Sequence, residues 1–531
     1  MPVDFWRAGV AGLPLLFLLL ALLRWRWPGT RAGIAALVFT ALLALTAFRL
    51  PPSGLGVAFG RAVILSLDVL FIIWTALVLY QFVELTGAIR GIRDAIAALT
   101  EDHILQLLII GVAFTSFLQG VQGFGVPVAV TAPLLLGLGF APLEAAAVPL
   151  IGHSWAVTTG TLASGLQALR AVTGLPGRPM AIWVGILLGL AGVLSCFAVV
   201  HLHAGWRPVR RAFGAILAVG LTMAGVHLLV IVSGNWTIAA SVASMVALAL
   251  GIQLARMVRS RGHGLFGLLP EWPPPEGRRE PPREAPTDIS PMSFHLAFLP
   301  YYMLVGVVTI ATFIAPISRF MQTVRISLTT PATVTGLGWV TPEASAVLHV
   351  AGHPGALILY AAALTAVVFG RLGHRPSWRA LWRGTAEQGV PTTVTILALV
   401  GVAMVMVYSG MTYLLAATGA RVGGRLFPFF SPFIGLLGTV VTGSNTNSNV
   451  LFGALQRDAA GLLRMDPVLM AALQSAGGAL GSMVAPAKVV LATATTGLAG
   501  QEGQVMRVTG RYALVLTAVL GLIGLIWTLA Y

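Results

Sequence analysis

Charge is what this sequence has least of. Only 9% of its 531 residues are Asp, Glu, Lys or Arg, against about a quarter in soluble domains, and a surface wetted on every side cannot be built from so few. Lysine is almost absent: Lys488 is the only one, and every other strong base is arginine. Cysteine is equally scarce. Cys196 stands alone in an apolar run, which excludes an intrachain disulfide and a cysteine-based metal site. A P-loop, a Gly-x-Ser-x-Gly elbow and zinc-ligand spacing are all missing. The Gly120, Gly123 and Gly125 cluster has the wrong spacing for a dinucleotide fingerprint and no βαβ pattern around it. His201 and His203 form an isolated His-x-His pair that reads as loop rather than metal ligand. The sequence therefore offers no catalytic residue, metal site or cofactor, and an enzyme is not expected.

What is present is apolar length. The chain is 57% hydrophobic, and stretches long enough to cross a bilayer recur from end to end. At about 20 residues per crossing this gives roughly 12 to 14 transmembrane helices, an all-α polytopic membrane protein with the lipid bilayer as its main partner. The net charge of +15 reads as topology, not nucleic-acid binding. Arg24, Arg26 and Arg31, then Arg90 and Arg93, Arg207, Arg210 and Arg211, and Arg371, Arg375, Arg379 and Arg383 cluster in short connections. That is the pattern of cytoplasmic loops in a plasma-membrane protein, and it places the N-terminus outside. The first apolar run, 10–23, is followed by Arg24-Trp25-Arg26-Trp27 with no small-residue cleavage site, so it reads as a retained span. Eight prolines between 270 and 291 mark residues 262–293 as a polar loop. It separates an N-terminal half, 1–261, from a C-terminal half, 294–531.

Two segments break the apolar pattern, 116–165 and 439–497. The first opens Gln119-Gly-Val-Gln122-Gly123-Phe-Gly125-Val-Pro127, and the second Thr442-Gly-Ser444-Asn445-Thr446-Asn447-Ser448-Asn449. Some 20 residues later each has a proline leading a small-residue helix, Pro142 and Pro467, and then a second polar break. The first of these breaks carries His153 and Ser154, the second Ser482 and Lys488. The order break, helix, proline, helix, break thus occurs twice, as expected of a carrier built from repeats with discontinuous helices. Backbone groups cannot be left unpaired in lipid, so such breaks need protein, water or ligand around them. A half-helix starting at depth offers N–H groups and a positive dipole end to a carboxylate. One glycine or serine alone reads as close helix packing; the dense run 442–449 is too costly to bury for packing only. Lys488, an ion inside the membrane, reads as the counter-charge of an anion, or as a lysine snorkelling from a helix end. Asp68 and Glu144 lie in or beside apolar spans and are candidate proton carriers, as is His153, which titrates near neutral pH.

At these same segments the chain resembles the bacterial L-lactate permease family. Phe117-Leu-Gln119-Gly-Val-Gln-Gly-Phe-Gly-Val-Pro127-Val-Ala-Val is similar to that family's first signature. Phe429-Phe-Ser-Pro-Phe433, the 442–449 run and Leu451-Phe-Gly-Ala-Leu-Gln456 resemble its C-terminal one. Thr341-Pro-Glu343-Ala and Tyr408-Ser-Gly410 are further similar segments. The resemblance implies symport of lactate, and often glycolate, with protons. It also implies inverted repeats with re-entrant hairpins, a homodimer, and Glu343 as a further proton-coupling candidate. This chain departs from the pattern at Ser482, where a Lys is typical and Lys488 lies a few residues later, at His153, where an Asn is common, and in two further places. Gln119 stands where the family usually has Glu, and Asn445 where it usually has Asp. Neither can carry a proton, so coupling through Asp68, Glu144, His153 or Glu343, a sodium-coupled carrier, or a passive anion channel all remain readings of the sequence. The substrate site is expected at Gln119, Gln122, Gly123, Gly125, His153, Ser154, Thr442, Ser444, Asn445, Thr446, Asn447, Ser448, Asn449, Ser482 and Lys488.

Overall fold

The computed structural model describes residues 5–25, 27–97, 100, 102–123, 125–261 and 292–530. Almost all of the expected polar loop at 262–293 lies outside them. Twelve helices among the described residues are long and apolar enough to cross a membrane. They are not alike. Gly29–Thr46 and Glu502–Ala530 bury only 28% and 33% of their most apolar windows, whereas His103–Val121 and Pro467–Thr495 bury 100% and 94%. The outer helices offer their apolar faces to lipid. The two inner ones carry the broken motifs and are wrapped by protein, which is where irregular backbone can be satisfied.

Hydropathy misplaces three features. Residues 142–163 read as one span but form the helix Pro142–Gly152, a 3-10 turn at Ser154–Ala156 and an irregular stretch before Ser164–Thr173. Residues 394–416 also read as one span. The chain instead breaks at Ser409 and Gly410, between Trp378–Tyr408 and Met411–Gly423, because Gly410 takes a left-handed φ of 82° that ends the helix. The third feature is β structure. Arg325–Thr330 pairs antiparallel with Ala344–His349, Arg325 opposite His349 and Thr330 opposite Ala344. Inside this hairpin, Thr333–Val334 pairs with Val340–Thr341.

These hairpins cover one end of the helical bundle. Arg61 reaches the Ala344 carbonyl, the Trp339 indole donates to the Val407 carbonyl at 3.0 Å, and the Gly336 amide donates to the Arg49 carbonyl at 2.8 Å. The opposite ends of Gly29–Thr46, Pro354–Arg371 and Trp378–Tyr408 carry Arg31, Arg371 and Arg379, and Arg90 follows the far end of Pro52–Leu85. The protein thus has a hairpin face and an arginine face.

The two broken motifs run in opposite directions between these faces. In the first, His103–Val121 rises from the arginine face, the chain turns at Gln122, Gly123 and Gly125, and Val126–Gly137 returns to it. There the Phe140 ring lies 5.1 Å from that of His103. Pro142–Gly152 then rises, breaks, and Ser164–Thr173 continues to the hairpin face. In the second, Phe427–Thr442 descends from the hairpin face, turns at Gly443 and Ser444, and Asn445–Leu463 returns. Pro467–Gly481 descends, breaks, and Pro486–Thr495 continues to the arginine face. This is an inverted repeat, each copy a re-entrant hairpin followed by a broken helix. The packing repeats too. A Cβ on Gly152, ten residues after Pro142, would overlap the Gly111 carbonyl; one on Gly477, ten residues after Pro467, would overlap the Pro432 carbonyl. Only glycine lets each hairpin helix cross its broken helix that closely.

Candidate functional site

Four helices begin at one depth, around one space: Val126–Gly137, Ser164–Thr173, Asn445–Leu463 and Pro486–Thr495. None is capped by a side chain. Each start carries the equivalent of about half a positive charge. Between them is a cavity of about 380 Å³, lined by Gly125, Ser164, residues 443–447 and Lys488 from the repeats. Residues 28–30, Ile73, Pro391, Thr392, Thr395 and Ile396 of the surrounding helices complete it. Lys488 is its only charged lining residue among those described.

The first break is held by unusual backbone. Thr161, Leu162 and Ala163 all take left-handed φ values, 47°, 53° and 61°, a conformation that side chains with a Cβ avoid. Ladder-like bonds fix it: the Thr161 amide donates to the Gln119 carbonyl at 2.9 Å and the Leu162 amide to the Gly120 carbonyl at 3.2 Å. Both breaks of the first repeat are thereby stitched together, and Gln119 and Thr161 are set side by side on the cavity wall. Such strain persists where its surroundings over-determine it, commonly at functional sites.

Lys488 meets His153, Nζ to Nε2, at 3.0 Å. The tautomer follows from the other ring nitrogen. Nδ1 lies 2.6 Å from the Pro149 carbonyl, which can only accept, so Nδ1 carries the hydrogen and Nε2 accepts from the ammonium. One of the three lysine N–H groups is thus committed to His153. No carboxylate is paired with Lys488 among the described residues.

The asparagines divide the work. Asn445 Nδ2 donates to Thr158 Oγ1 at 2.8 Å, and Asn449 Nδ2 to the Gly165 carbonyl at 3.0 Å and to Ser475 Oγ at 2.8 Å. Thr158 and Gly165 belong to the first repeat, so these two side chains tie the repeats to each other. Asn445 and Asn449 are four residues apart and share a helix face. Asn445 also lines the cavity, as do Thr446 and Asn447, whereas Asn449 stands behind it. The Asn445 Oδ1 and Gln119 Oε1 acceptors are buried and have no partner in the protein, and both residues line the cavity.

Of the residues expected in the site, Gln119, Gly123, Gly125, Ser444, Asn445, Thr446, Asn447 and Lys488 line the cavity. The others stand behind it. His153 orients Lys488. Ser154 bonds the Ile151 carbonyl, Thr442 the Gly438 and Ser444 carbonyls, and Ser448 the Gly435 carbonyl. Gln122 and Ser482 are buried, with polar side-chain atoms that find no partner. The acids lie elsewhere. Asp68 is bound to His353 Nε2 at 3.0 Å and Glu144 to His203 Nδ1 at 3.1 Å. Glu343 is exposed beside the outer hairpin. Thr158 and Thr161, part of the first repeat's second polar break but not expected in the substrate site, join the constellation, and so do Ser164 and Ser475. So does the far wall of Thr30, Thr392 and Thr395, which gives no local sign because its threonines sit in ordinary helices.

A family model described as L-lactate permease matches residues 8–530 of the chain. The glycolate permease GlcA of Escherichia coli (strain K12) is 30% identical, over 97% of this chain and 95% of its own. The L-lactate permease of Bacillus subtilis (strain 168) is 31% identical, over 95% of this chain and 92% of its own. Among solved structures, the YdaH transporter of Alcanivorax borkumensis superimposes with a TM-score of 0.51 at 13% identity, covering 93% of this chain and 98% of that one; this likeness concerns the fold alone.

Proposed function

The chain belongs to the L-lactate permease family, a multi-pass protein of the bacterial plasma membrane, and on that premise we propose that it carries lactate, glycolate or a similar small 2-hydroxy carboxylate across that membrane, coupled to protons. The observation that carries the reading is the midplane cavity. It has one cation, four uncapped helix starts and unpartnered amide oxygens, and no acid on its walls. The substrate carboxylate docks against Lys488 and the helix starts, where partial positive charge converges. Its hydroxyl pairs with the polar side chains on the cavity wall, Gln119, Thr446 and Asn447.

Proton coupling runs through Lys488 and His153 in this reading. Asp68, Glu144 and Glu343 are away from the cavity, and the first two already have histidine partners. A carboxylate beside Lys488 favours the ammonium. When the anion leaves, that cation faces four positive helix starts alone. Lys488 then releases its proton into the cavity it lines, along the anion's own exit, and the neutral amine still donates to His153 Nε2 at 3.0 Å. Anion and proton therefore bind together and leave together.

The inverted repeats move as one body against the surrounding helices, because Asn445–Thr158 and Asn449–Gly165 lock them together. The interface they slide on is apolar: Val69, Ile73 and Val400 of the frame against Ala168, Val172 and Val450 of the repeats.

Uptake of labelled L-lactate and glycolate into proteoliposomes, with and without an inward proton gradient, tests this. Saturable, gradient-stimulated uptake is expected. Uptake that ignores the gradient would remove the coupling step, and no uptake of either acid by folded protein would reject the substrate.

A further inference from the structure

Two segments singled out in the sequence, Thr341-Pro-Glu343-Ala and Tyr408-Ser-Gly410, play no part in the midplane cavity. The fold brings them together elsewhere. Thr341, Pro342 and Tyr408 line a separate cavity of about 690 Å³ beneath the hairpins, with Arg61, Trp339 and Arg457. The apolar interface separates it from the midplane site. That cluster contributes Ile73 and Ile396 to the midplane cavity, and Leu65 and Met404 to this one. Leu65 and Ile73 are eight residues apart on one helix, about 12 Å.

The polar groups here are unequal. Arg457 is neutralised: Nε and Nη2 hold Asp458 Oδ1 at 2.8 and 2.7 Å, and Nη1 donates to the Thr173 carbonyl at 2.9 Å. Arg61 is not. Its one bond is to the Ala344 carbonyl, at 3.4 Å, and no carboxylate is paired with it among the described residues. Asp68, two turns further along the same helix and in a neighbouring cavity, is taken by His353. Thr341 is 9% exposed as a residue, and its hydroxyl is buried without a partner. A half-buried guanidinium with spare donors thus shares one cavity wall with Thr341, whose hydroxyl is orphaned, and with Tyr408, whose hydroxyl meets Thr330 Oγ1 at 3.4 Å.

We propose that this cavity is a second site for a small hydroxy-carboxylate, which receives the anion on the hairpin face. The Arg61 fork takes the carboxylate, a geometry that lysine cannot copy fully, and Thr341 pairs with the hydroxyl. The proposal rests on the lactate and glycolate reading for its ligand.

The test is sided kinetics. L-lactate KM is measured from each membrane face, in intact cells and in inside-out vesicles, for the wild type, Arg61→Gln and Arg61→Lys. The hairpin face is identified by reaction of Glu343→Cys with a membrane-impermeant maleimide; the natural Cys196 is buried. Arg61→Gln is expected to raise KM about tenfold from the hairpin face and to leave KM from the arginine face at the wild-type value. Arg61→Lys should recover part of the loss. An unchanged KM on both faces, or an equal rise on both, would overturn the site and leave Arg61 as a tie between helix and hairpin. A wild type that moves neither lactate nor glycolate would instead reject the substrate reading, and with it the ligand assigned here.

Discussion

Replacing Lys488 by Met removes the ammonium and keeps the length of the side chain. In the structure the ammonium spends one N–H on His153 and leaves two for a carboxylate. Hydrogen bonds to charged groups contribute about 1.5–3 kcal/mol, so substrate affinity should fall roughly 10- to 150-fold. It should not vanish, because the four helix starts remain. Thermal unfolding with and without ligand measures this directly. A ligand present at 100 times its Kd stabilises by about 2.7 kcal/mol. If Kd rises about 30-fold, the same concentration stabilises by only about 0.9 kcal/mol. The apoprotein should unfold only slightly earlier than the wild type, because no carboxylate is stranded although His153 Nε2 loses its donor. Equal ligand stabilisation in both proteins would refute the assignment of Lys488 as the anion's counter-charge. Equal stabilisation with lost transport would confine the residue to proton coupling.

Asn445→Ala removes a 2.8 Å bond that ties the repeats together; uptake should be abolished at a stability cost of about 1–3 kcal/mol, and uptake at the wild-type rate would sink the site. Gly477→Ala places a methyl group on the Pro432 carbonyl. It should cost about 1–3 kcal/mol or more by overpacking, seen as a lower unfolding temperature or aggregation on size-exclusion chromatography. Asp68→Asn should keep gradient-stimulated uptake; loss of the stimulation would move proton coupling from the Lys488–His153 pair to Asp68.

The part of the site that was legible in the sequence is the part with an energetic cost. Asn, Ser and Thr crowded into an apolar stretch, and one lysine in a chain of arginines, stand out because lipid does not tolerate them. Eight of the residues they pointed to meet at one cavity. Adjacency in sequence was the weaker guide. Asn445, Asn447 and Asn449 look equivalent in a row, but at 100° per residue the first and last reach the other repeat, and only Asn445 and Asn447 line the cavity. What could not be read depends on distant partners. Nothing near Arg61 tells it from the loop arginines until the hairpins fold over it. His353 looks like a turn residue until Asp68 lies 3.0 Å away. The strands were hidden by their setting, since six-residue alternations such as Arg325–Thr330 carry little signal beside 30-residue apolar helices.

The lone cation of the midplane cavity also fixes how the carrier meets the membrane voltage. With substrate bound, an ammonium and a carboxylate cross together and the moving body carries no net charge from this site. The empty carrier carries whatever Lys488 carries. If the proton has left with the anion, the return step is blind to voltage. If the proton stays, the return moves one elementary charge, at about 2.3 kcal/mol for every 100 mV. The electrical character of the whole cycle, electroneutral or current-carrying, is therefore decided by one proton on one side chain, and a current recording would read it out.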